Sequence, residues 1–324
     1  MIVVTGAAGF IGSAICWGLN KNSRSDIIIV DEADLPDEKK HNLNQLKFDT
    51  YLGKHEFIRK IKEKKFNATP EAIIHMGACS DTTETNEKFL LENNFEYTKT
   101  LCEFCTQNKT RFIYASSAAT YGDGSCGYSD DESSIDTLKP LNLYGKSKQL
   151  FDKWAKENKL LDKIVGLKYF NVFGPNEYHK ADMRSVALRG FEQIRHTHKM
   201  RLFKSYKKEY KDGEQKRDFL YVKDAVDMTL FFLKNPLANG IFNIGSGAAS
   251  TWNQLANAIF EALGTKSNIE YIDMPDNLKP RYQYFTQADI SKLRKAGYKK
   301  PITSLDEAVY DYVQNYLVPH THLS

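Results

Sequence analysis

The sequence lacks the features that mark membrane, exported and nucleic-acid-binding proteins. Its 324 residues contain no apolar run of about 18, the length a membrane-spanning helix needs. The first residues, MIVVTG, have neither a charged region nor a long apolar core, so we expect no signal peptide and a cytoplasmic protein. The net charge is only +4, from 45 basic and 41 acidic residues, and it predicts neither a nucleic-acid nor a membrane partner.

Cysteine is also sparse, and histidine is not arranged for metal binding. Five cysteines are too few, and odd in number, for a disulfide framework, which favours a reducing compartment. Cys102 and Cys105 form a C-x-x-C pattern, but within an apolar helical repeat, so we expect a structural role. We expect no metal, because the histidine pairs lack carboxylate or cysteine partners at metal-ligand spacing: His196 with His198, and His320 with His322.

What the sequence does contain is an alternation of short apolar runs and helix-length amphipathic stretches. Predicted strands cover 1–4, 27–30, 71–75, 112–115, 164–167, 218–222 and 240–244. Predicted helices cover 10–20, 84–108, 142–158, 183–196, 224–233, 251–263 and 303–316, and 204–216 is an exposed loop. Near-continuous apolar strands separated by helices predict an α/β fold, with a parallel sheet covered on both faces.

This pattern indicates two domains, as expected for a chain of 324 residues when a typical domain has about 150 residues. The alternation breaks near Asn171 and returns over 217–244 as strand–helix–strand. We therefore predict a Rossmann-type, doubly wound domain from 1–170 plus about 217–244. A smaller, mixed α/β substrate domain would comprise 171–216 plus about 245–324.

A glycine-rich turn directly follows the first predicted strand and opens the first helix. It contains Gly6, Gly9 and Gly12. Glycines at this spacing permit a tight turn, let backbone N–H groups approach a pyrophosphate, and pack the helix close to the sheet. The helix N-terminus adds partial positive charge. The turn therefore predicts a dinucleotide-binding site.

The acidic residue after the second strand bears on which dinucleotide binds. Asp31 stands near the offset of about 20 residues expected for the acid that accepts a ribose 2′-hydroxyl, which favours NAD. A 2′-phosphate would instead need nearby cations, for which Lys39, Lys40 and Lys54 are candidates. These residues alone leave NAD and NADP open.

Three further residues predict acid–base chemistry beside the dinucleotide. Tyr144 and Lys148 share one face of a helix at i and i+4. Ionising a tyrosine at pH 7 costs roughly 4 kcal/mol, which a nearby ammonium and a cationic nicotinamide lower. Ser117 directly follows the predicted strand 112–115, at the sheet edge where ligands bind. Its hydroxyl can hydrogen-bond the substrate oxygen that cycles between alcohol and carbonyl.

These motifs resemble the extended short-chain dehydrogenases/reductases that modify nucleotide sugars. More specific segments run along essentially the whole chain, at 75–80, 114–122, 169–175, 179–180, 216–222 and 281–289, and resemble the ADP-heptose 6-epimerase family. The resemblance implies inversion of C6 of ADP-D-glycero-D-manno-heptose through a transient ketone, with bound NADP, towards the inner core of lipopolysaccharide. It also implies a homo-oligomer, with a pentamer as the assembly.

The resemblance assigns roles residue by residue. It makes Tyr144 and Lys180 the two acid/base residues, although Lys180 has the alternative of a phosphate contact or an exposed lysine. The implied cofactor contacts, besides the glycines, are Phe10, Ile11, Asp31, Glu32, Lys39, Lys54, Met76, Gly77, Ala78, Cys79, Ser80, Asn93, Lys148, Val172 and Lys180. The implied substrate contacts are Ser117, Asn171, Asp182, Arg189, Phe203, Lys204, Ser205, Tyr206, Arg217 and Tyr282.

The chain departs from the family pattern at three of these positions. Glu32 stands where asparagine is frequent and adds repulsion near a 2′-phosphate. Asp182 replaces a small polar residue and Arg189 replaces histidine. The loop 207–215 is also longer than expected.

Two other functions stay open on the residues alone. One is another nucleotide-sugar epimerase, such as a UDP-sugar 4-epimerase, which the generic motifs do not exclude. A dehydratase is disfavoured because Ala118 and Ala119 occupy the positions of its acidic pair. The other is a non-catalytic dinucleotide-binding protein, against which the presence of Tyr144 and Lys148 argues.

Overall fold

The computed structural model describes residues 1–276, 278–279 and 282–324, so Arg281 lies outside the described residues. A seven-stranded parallel sheet forms its centre, in the order β11-β6-β5-β4-β1-β2-β3. These strands are β1 (Ile2–Thr5), β2 (Ile27–Asp31), β3 (Thr50–Gly53), β4 (Ala72–His75), β5 (Arg111–Ser117), β6 (Val165–Tyr169) and β11 (Gly240–Ile244). The predicted α/β fold with a Rossmann-type sheet is confirmed.

Helices cover both faces of this sheet, because its inner strands are apolar on both sides. The helices are α1 (Phe10–Lys21), α2 (Asp37–Lys40), α3 (Lys54–Lys62), α4 (Glu87–Leu90), α5 (Tyr97–Asn108), α6 (Leu143–Glu157), α7 (Val186–Thr197), α8 (Val222–Lys234), α9 (Trp252–Ala262), α10 (Ser291–Lys295) and α11 (Leu305–Tyr312). One core packs α1 and α8 against the sheet, and the other packs α3, α5 and α6 against the opposite face.

Most predicted elements are present, with shifted ends. The predicted helix 84–108 begins at Glu87, where the Asn86 side chain accepts a hydrogen bond from the Phe89 N–H (3.0 Å). A π-helical turn, Leu91–Glu96, separates α4 from α5. The predicted helix 183–196 begins only at Val186, after the Ser185 cap.

The sequence analysis missed β3 and α3. The short strand Thr50–Gly53 is an edge strand with half-exposed side chains, so it carries little of the apolar pattern that marks the inner strands. Helix α3 buries only Phe57 and Ile61 among charged residues. Both elements nevertheless shape the end of the sheet near β2.

The remaining strands form three small two-stranded sheets. They pair β7 (Asn171–Phe173) with β10 (Phe219–Tyr221), β9 (Lys216–Arg217) with β12 (Ser250–Thr251), and β8 (Met200–Phe203) with β13 (Ile269–Ile272). The predicted strand 218–222 is thus shorter, because Val222 already begins α8. Residues 204–215 form turns, as predicted.

The predicted division into two domains stays a prediction. The observation that bears on it is that β11 pairs in parallel with β6 at the edge of the large sheet, far along the chain from the other strands. No helix in the described part of the chain is long and apolar enough to cross a membrane.

Candidate functional site

One large cavity opens at the carboxyl ends of β1, β2, β4, β5 and β6. Its volume is about 850 Å³. Ligands bind at this edge of doubly wound sheets because the strand ends and helix N-termini converge there. The glycine turn lines the cavity at one place, and Ser117, Tyr144 and Lys148 line it at another. Sequence segments more than a hundred residues apart therefore share one site.

Close packing makes glycine necessary in the turn after β1. Gly6 has φ +65°, and a Cβ on it would lie 2.6 Å from the backbone N of Gly77. A Cβ on Gly12 would lie 2.0 Å from the carbonyl oxygen of Gly6. No side chain caps the N-terminus of α1, so the N–H groups of its first turn remain for a ligand. The turn fits a dinucleotide pyrophosphate.

Charged groups crowd the cavity beyond β2. The Asp31 carboxylate accepts hydrogen bonds from the N–H groups of Ala8 (2.9 Å) and Glu32 (2.9 Å). It also pairs with Lys39 at 2.5 Å. Lys54 pairs with Glu32 at 2.6 Å. Two acids and two lysines therefore neutralise each other where the 2′ position of a bound dinucleotide would lie.

Tyr144 and Lys148 project from the first two turns of α6 towards the end of β5. The Asn142 side chain caps this helix by accepting a hydrogen bond from the N–H of Gly145 (2.7 Å). The Lys148 ammonium donates to the Ala115 carbonyl (2.8 Å). Burial lowers the pKa of Lys148 to about 8. The helix thus fixes both side chains against the strand that carries Ser117.

Burial raises the pKa of the Tyr144 phenol, and the Ser117 hydroxyl nearby opposes that shift. The phenol and the Ser117 hydroxyl therefore face the same part of the cavity. Ser117 itself is buried and accepts a hydrogen bond from the N–H of Ala119 (3.1 Å). A phenol and a hydroxyl that line the same cavity can bind one substrate oxygen and transfer its proton.

Lys180 lines the same cavity, but it comes from a turn that follows β7. It lies in the turn Tyr178–Met183, and its Nζ is 5.4 Å from the centre of the Phe10 ring, in the first turn of α1. Burial lowers the pKa of Lys180, and the charge of Glu177 raises it. A half-buried amine with a lowered pKa can act as a base, which a fully exposed lysine cannot do near neutral pH.

His75 is packed beside the site rather than open to it. Its Nδ1 and Nε2 atoms are 2.6 Å and 2.9 Å from the hydroxyls of Thr5 and Thr98, and its ring stacks on Tyr97. Burial lowers the pKa of His75 to about 3. Both nitrogens are engaged, which indicates a structural role for His75.

The cavity brings together the predicted catalytic residues and the predicted cofactor residues except Lys40, which is exposed and pairs with Asp37. It holds only part of the predicted substrate set. Ser117 and Asn171 line it. Asp182 and Arg189 are exposed beyond its rim. The other predicted substrate residues lie outside the lining, around β8 and β9: Phe203, Lys204, Ser205, Tyr206, Arg217 and Tyr282.

Arg217 is the buried cation of this second group. Its guanidinium lies 5.5 Å from the ring centre of Trp252 and 5.2 Å from that of Tyr282. It donates to the carbonyls of Lys216 and Gln283. Because Trp252 also lines the cavity, Arg217 stands directly behind the wall of the cavity.

The cavity contains residues that the sequence analysis did not single out. Arg184 lines it, donates to the Ala181 carbonyl (2.8 Å) and pairs with Glu192 (2.6 Å). In the sequence, the feature that could have pointed to Arg184 is its position four residues after Lys180. Apolar and aromatic wall residues gave no signal of their own: Phe89, Tyr97, Phe170, Phe219, Trp252 and Leu255.

Among the described residues, no group of three or more histidine, cysteine, aspartate or glutamate side chains is placed to hold a metal ion. Cys102 and Cys105 are both buried in the core on α5, as expected for structural residues.

Comparison with known proteins agrees with this geometry. A family model described as the NAD dependent epimerase/dehydratase family matches residues 2–245. A relative from Nitratidesulfovibrio vulgaris, named ADP-L-glycero-D-manno-heptose-6-epimerase, is 50% identical over 323 residues, which cover 99% of this chain and 100% of the relative.

Solved structures with the same fold include epimerases of two kinds. The ADP-L-glycero-D-manno-heptose-6-epimerase of Helicobacter pylori superposes with a TM-score of 0.79 at 26% identity, covering 97% of this chain and 95% of the other. The UDP-glucuronic acid 4-epimerase of Bacillus cereus, in complex with UDP-glucuronic acid and NAD, gives a TM-score of 0.76 at 27% identity, covering 97% and 99%.

The cofactor class follows from the family model and from these structures: it is a nicotinamide dinucleotide. The near-complete coverage of the relatives at high identity also settles the family. The chain belongs to the NAD dependent epimerase/dehydratase family and, within it, to the ADP-L-glycero-D-manno-heptose-6-epimerases.

Proposed function

We propose that the protein inverts the configuration at C6 of ADP-D-glycero-D-manno-heptose, giving the L-glycero epimer for lipopolysaccharide inner-core synthesis. The observation that carries this proposal is that two proton-transfer groups, Tyr144 and Lys180, line one cavity together with the glycine turn. When bound, the dinucleotide supplies a reversible hydride acceptor for C6. The protein therefore has to bind the sugar and move protons on both faces of C6.

Tyr144 serves one face of C6. Its phenolate takes the proton of the C6 hydroxyl as the hydride leaves, and in the reverse direction its phenol donates a proton to the C6 oxygen as the hydride returns. Ser117 holds the same oxygen, and Lys148, fixed by its bond to Ala115, places a positive charge on the Tyr144 face of α6. The positive charge of the nicotinamide adds to that of Lys148 and favours the phenolate.

Lys180 serves the other face. Inversion requires the hydride to return to the opposite side of C6, so the oxygen of the ketone points away from Tyr144 in one of the two binding modes. A second proton donor must therefore lie on the side of C6 that faces away from Tyr144. Lys180 fits this role because it reaches the cavity from the turn that faces α1 and because burial lowers its pKa.

We propose NADP as the dinucleotide. Lys39 and Lys54 line the cavity and are the cations that would bind a 2′-phosphate. Asp31 already accepts three hydrogen bonds, from Ala8, Glu32 and Lys39, which leaves its carboxylate little capacity for a ribose diol. Identification of the nucleotide that co-purifies with the protein tests this point: a 2′-phosphate supports it, and NAD alone contradicts it.

Arg217 is the proposed anchor for the substrate diphosphate. A planar guanidinium can bind a phosphate with two parallel hydrogen bonds. Arg217 falls at the start of the 217–244 segment predicted for the cofactor domain, but it packs against Tyr282 of the predicted substrate domain. Closure of the substrate domain, which also carries Phe203, Ser205 and Tyr206, over the cavity would bring this group to the ligand.

We also propose a cytoplasmic homo-oligomer, with the pentamer that the family resemblance implies. Sedimentation velocity of the purified chain tests the assembly: a single species near five times the chain mass of 37.1 kDa supports it, and a monomer contradicts it.

The reaction is tested by offering the purified protein two substrates, ADP-D-glycero-D-manno-heptose and UDP-galactose. The proposal expects the heptose to reach an equilibrium mixture of C6 epimers while UDP-galactose stays unchanged. Turnover of UDP-galactose alone would make the protein a 4-epimerase. Binding of NADP without turnover of either would make it a non-catalytic dinucleotide-binding protein.

A further inference from the structure

The turn that carries Lys180 is built around a buried carboxylate that the proposed chemistry does not use. Glu177 has no exposed surface. We propose that Glu177 is the positioning residue for Lys180: its carboxylate fixes the turn that holds the amine in the cavity and supplies the charge that sets the protonation of that amine. This inference rests on the proposed function only for its effect on turnover.

Four donors converge on the Glu177 carboxylate. One oxygen accepts hydrogen bonds from the Gly174 N–H (3.1 Å), the Ser185 hydroxyl (2.7 Å) and the Tyr312 hydroxyl (3.1 Å). The other oxygen accepts the Ser185 N–H at 2.5 Å. These contacts join the end of β7, the start of α7 and the C-terminal helix α11. The chain from Gly174 to Ser185 is therefore tied at both ends by one side chain.

The bonds to Glu177 favour its charged form. The two backbone N–H groups can only donate, and the Ser185 oxygen accepts a hydrogen bond from the N–H of Leu188 (3.1 Å), which leaves its proton for Glu177. A carboxylate accepts all four bonds, and they favour the charged form against burial, which raises the pKa of Glu177.

The backbone geometry of the turn explains why hydrogen bonds to Glu177 are needed to fix it. Ala181, directly after Lys180, has φ 45° and ψ −122°, a conformation that non-glycine residues rarely adopt. Such strain persists only where the surroundings determine the backbone. Arg184 holds the Ala181 carbonyl from one side (2.8 Å), and Glu177 holds the two ends of the segment.

The electrostatic consequence has a definite sign. The ionisable groups around the Lys180 amine and its turn include Glu177, Tyr178, His179, Asp182, Arg184 and Tyr312. Of these, Glu177 is the group whose charge raises the pKa of Lys180 against the effect of burial. Replacing Glu177 with a neutral residue therefore favours the free amine at lower pH and loosens the turn that places it.

The test compares Glu177→Gln with the unmodified holoenzyme in two independent measurements. The first follows turnover of the ADP-heptose against pH. We expect kcat to fall about 10- to 100-fold, as for a displaced catalytic group, with the dissociation constant of the dinucleotide unchanged. The limb of the kcat profile that belongs to Lys180 should move about one unit towards acid.

The second measurement needs no turnover. Acetic anhydride labelling of Lys180, read by mass spectrometry across a pH series, gives the pKa of the amine directly. In Glu177→Gln the labelling should begin at lower pH. If the unmodified protein does not turn over the heptose, the proposed function fails while this labelling still decides the role of Glu177.

Two variants guard against misreading a folding defect. Asp224→Asn removes another buried carboxylate, which lies on α8 and accepts a hydrogen bond from the Thr303 N–H (3.0 Å). This variant should be less stable, but the Lys180 limb of the kcat profile and the pH dependence of Lys180 labelling should not change. Tyr312→Phe removes a single bond to Glu177 and should shift both measurements in the same direction by less; it carries the test if Glu177→Gln does not fold. The proposal would be overturned if every Glu177 and Tyr312 variant that folds kept both the Lys180 limb of the kcat profile and the pH dependence of Lys180 labelling of the unmodified protein.

Discussion

The Nζ atom of Lys54 lies 2.6 Å from the carboxylate of Glu32, at the end of the cavity beside β2 and α3. The same amine is 3.2 Å from the side-chain oxygen of Asn93. Lys54 is thus shared between an acid and an amide before any ligand binds. A 2′-phosphate has to compete with Glu32 for this lysine, so Glu32 weakens the phosphate preference that Lys39 and Lys54 create.

Replacing Glu32 with asparagine should therefore strengthen NADP binding. Removing one partly exposed like charge corresponds to about 1 kcal/mol, or roughly fivefold in the dissociation constant. The dissociation constant for NAD should change less. Fluorescence titration of the purified protein with each dinucleotide measures both values. Glu63→Gln, which breaks an ion pair with Lys65 outside the cavity, is the control and should change neither. Equal changes for NAD and NADP would contradict the role given to Glu32.

Replacing Tyr144 with phenylalanine removes the proton-transfer group and little else. We expect kcat to fall by about 10²–10⁴-fold, the usual contribution of a general acid or base. The dissociation constant of the dinucleotide should stay within about twofold, because Lys148 still bonds to Ala115. Tyr310→Phe, at an exposed tyrosine on α11, should leave kcat unchanged. A Tyr144→Phe variant with undiminished turnover would remove Tyr144 from the mechanism.

The strained backbone at Ala181 predicts a stabilising substitution. Glycine adopts positive φ without the steric cost that a Cβ brings, so Ala181→Gly should raise the free energy of unfolding by about 1 kcal/mol. Urea denaturation measures this change. Ala296→Gly, at an alanine with ordinary helical angles, should lower stability or leave it unchanged. A loss of stability in Ala181→Gly would show that the turn is not strained.

His75 predicts how stability depends on pH. Burial lowers its pKa from 6.5 to about 3, so below about pH 6.5 the unfolded chain binds a proton that the folded chain does not. Stability should therefore fall as pH falls from about 6.5 towards 3, and this histidine contributes a slope of up to about 1.4 kcal/mol per pH unit.

The variant His75→Asn measures that contribution. It should be less stable than the unmodified protein near neutral pH, and its stability should fall less steeply with acid. The exposed residue His55 provides the matched control, since His55→Asn should keep the original slope. Parallel stability curves for His75→Asn and the unmodified protein would contradict the assignment.

The large sheet could be predicted from the sequence, and so could the meeting of the expected cofactor residues in one cavity, because both depend on local signals. Apolar strands, the glycine turn and the i, i+4 spacing of Tyr144 and Lys148 act over a few residues, and the strand ends then collect them at one edge. Lys180 was found only through the family resemblance, since a lone lysine in a turn has no pattern of its own.

The substrate side was harder to predict for a physical reason. Arg217 and Tyr282 are 65 positions apart, and their neighbourhood depends on two-residue strands and on aromatic packing that leave almost no periodicity. Glu177 gave no signal either. Its importance comes from four donors that lie between positions 174 and 312, and only the fold brings these together.

The proposed function requires that the hydride lost from C6 be the one that this carbon regains on its other face. The most direct measurement uses ADP-D-glycero-D-manno-heptose with deuterium at C6, incubated with the protein in ordinary water and analysed by NMR and mass spectrometry. The account predicts the C6 epimer with its deuterium fully retained. Exchange of the deuterium with solvent during inversion would contradict it.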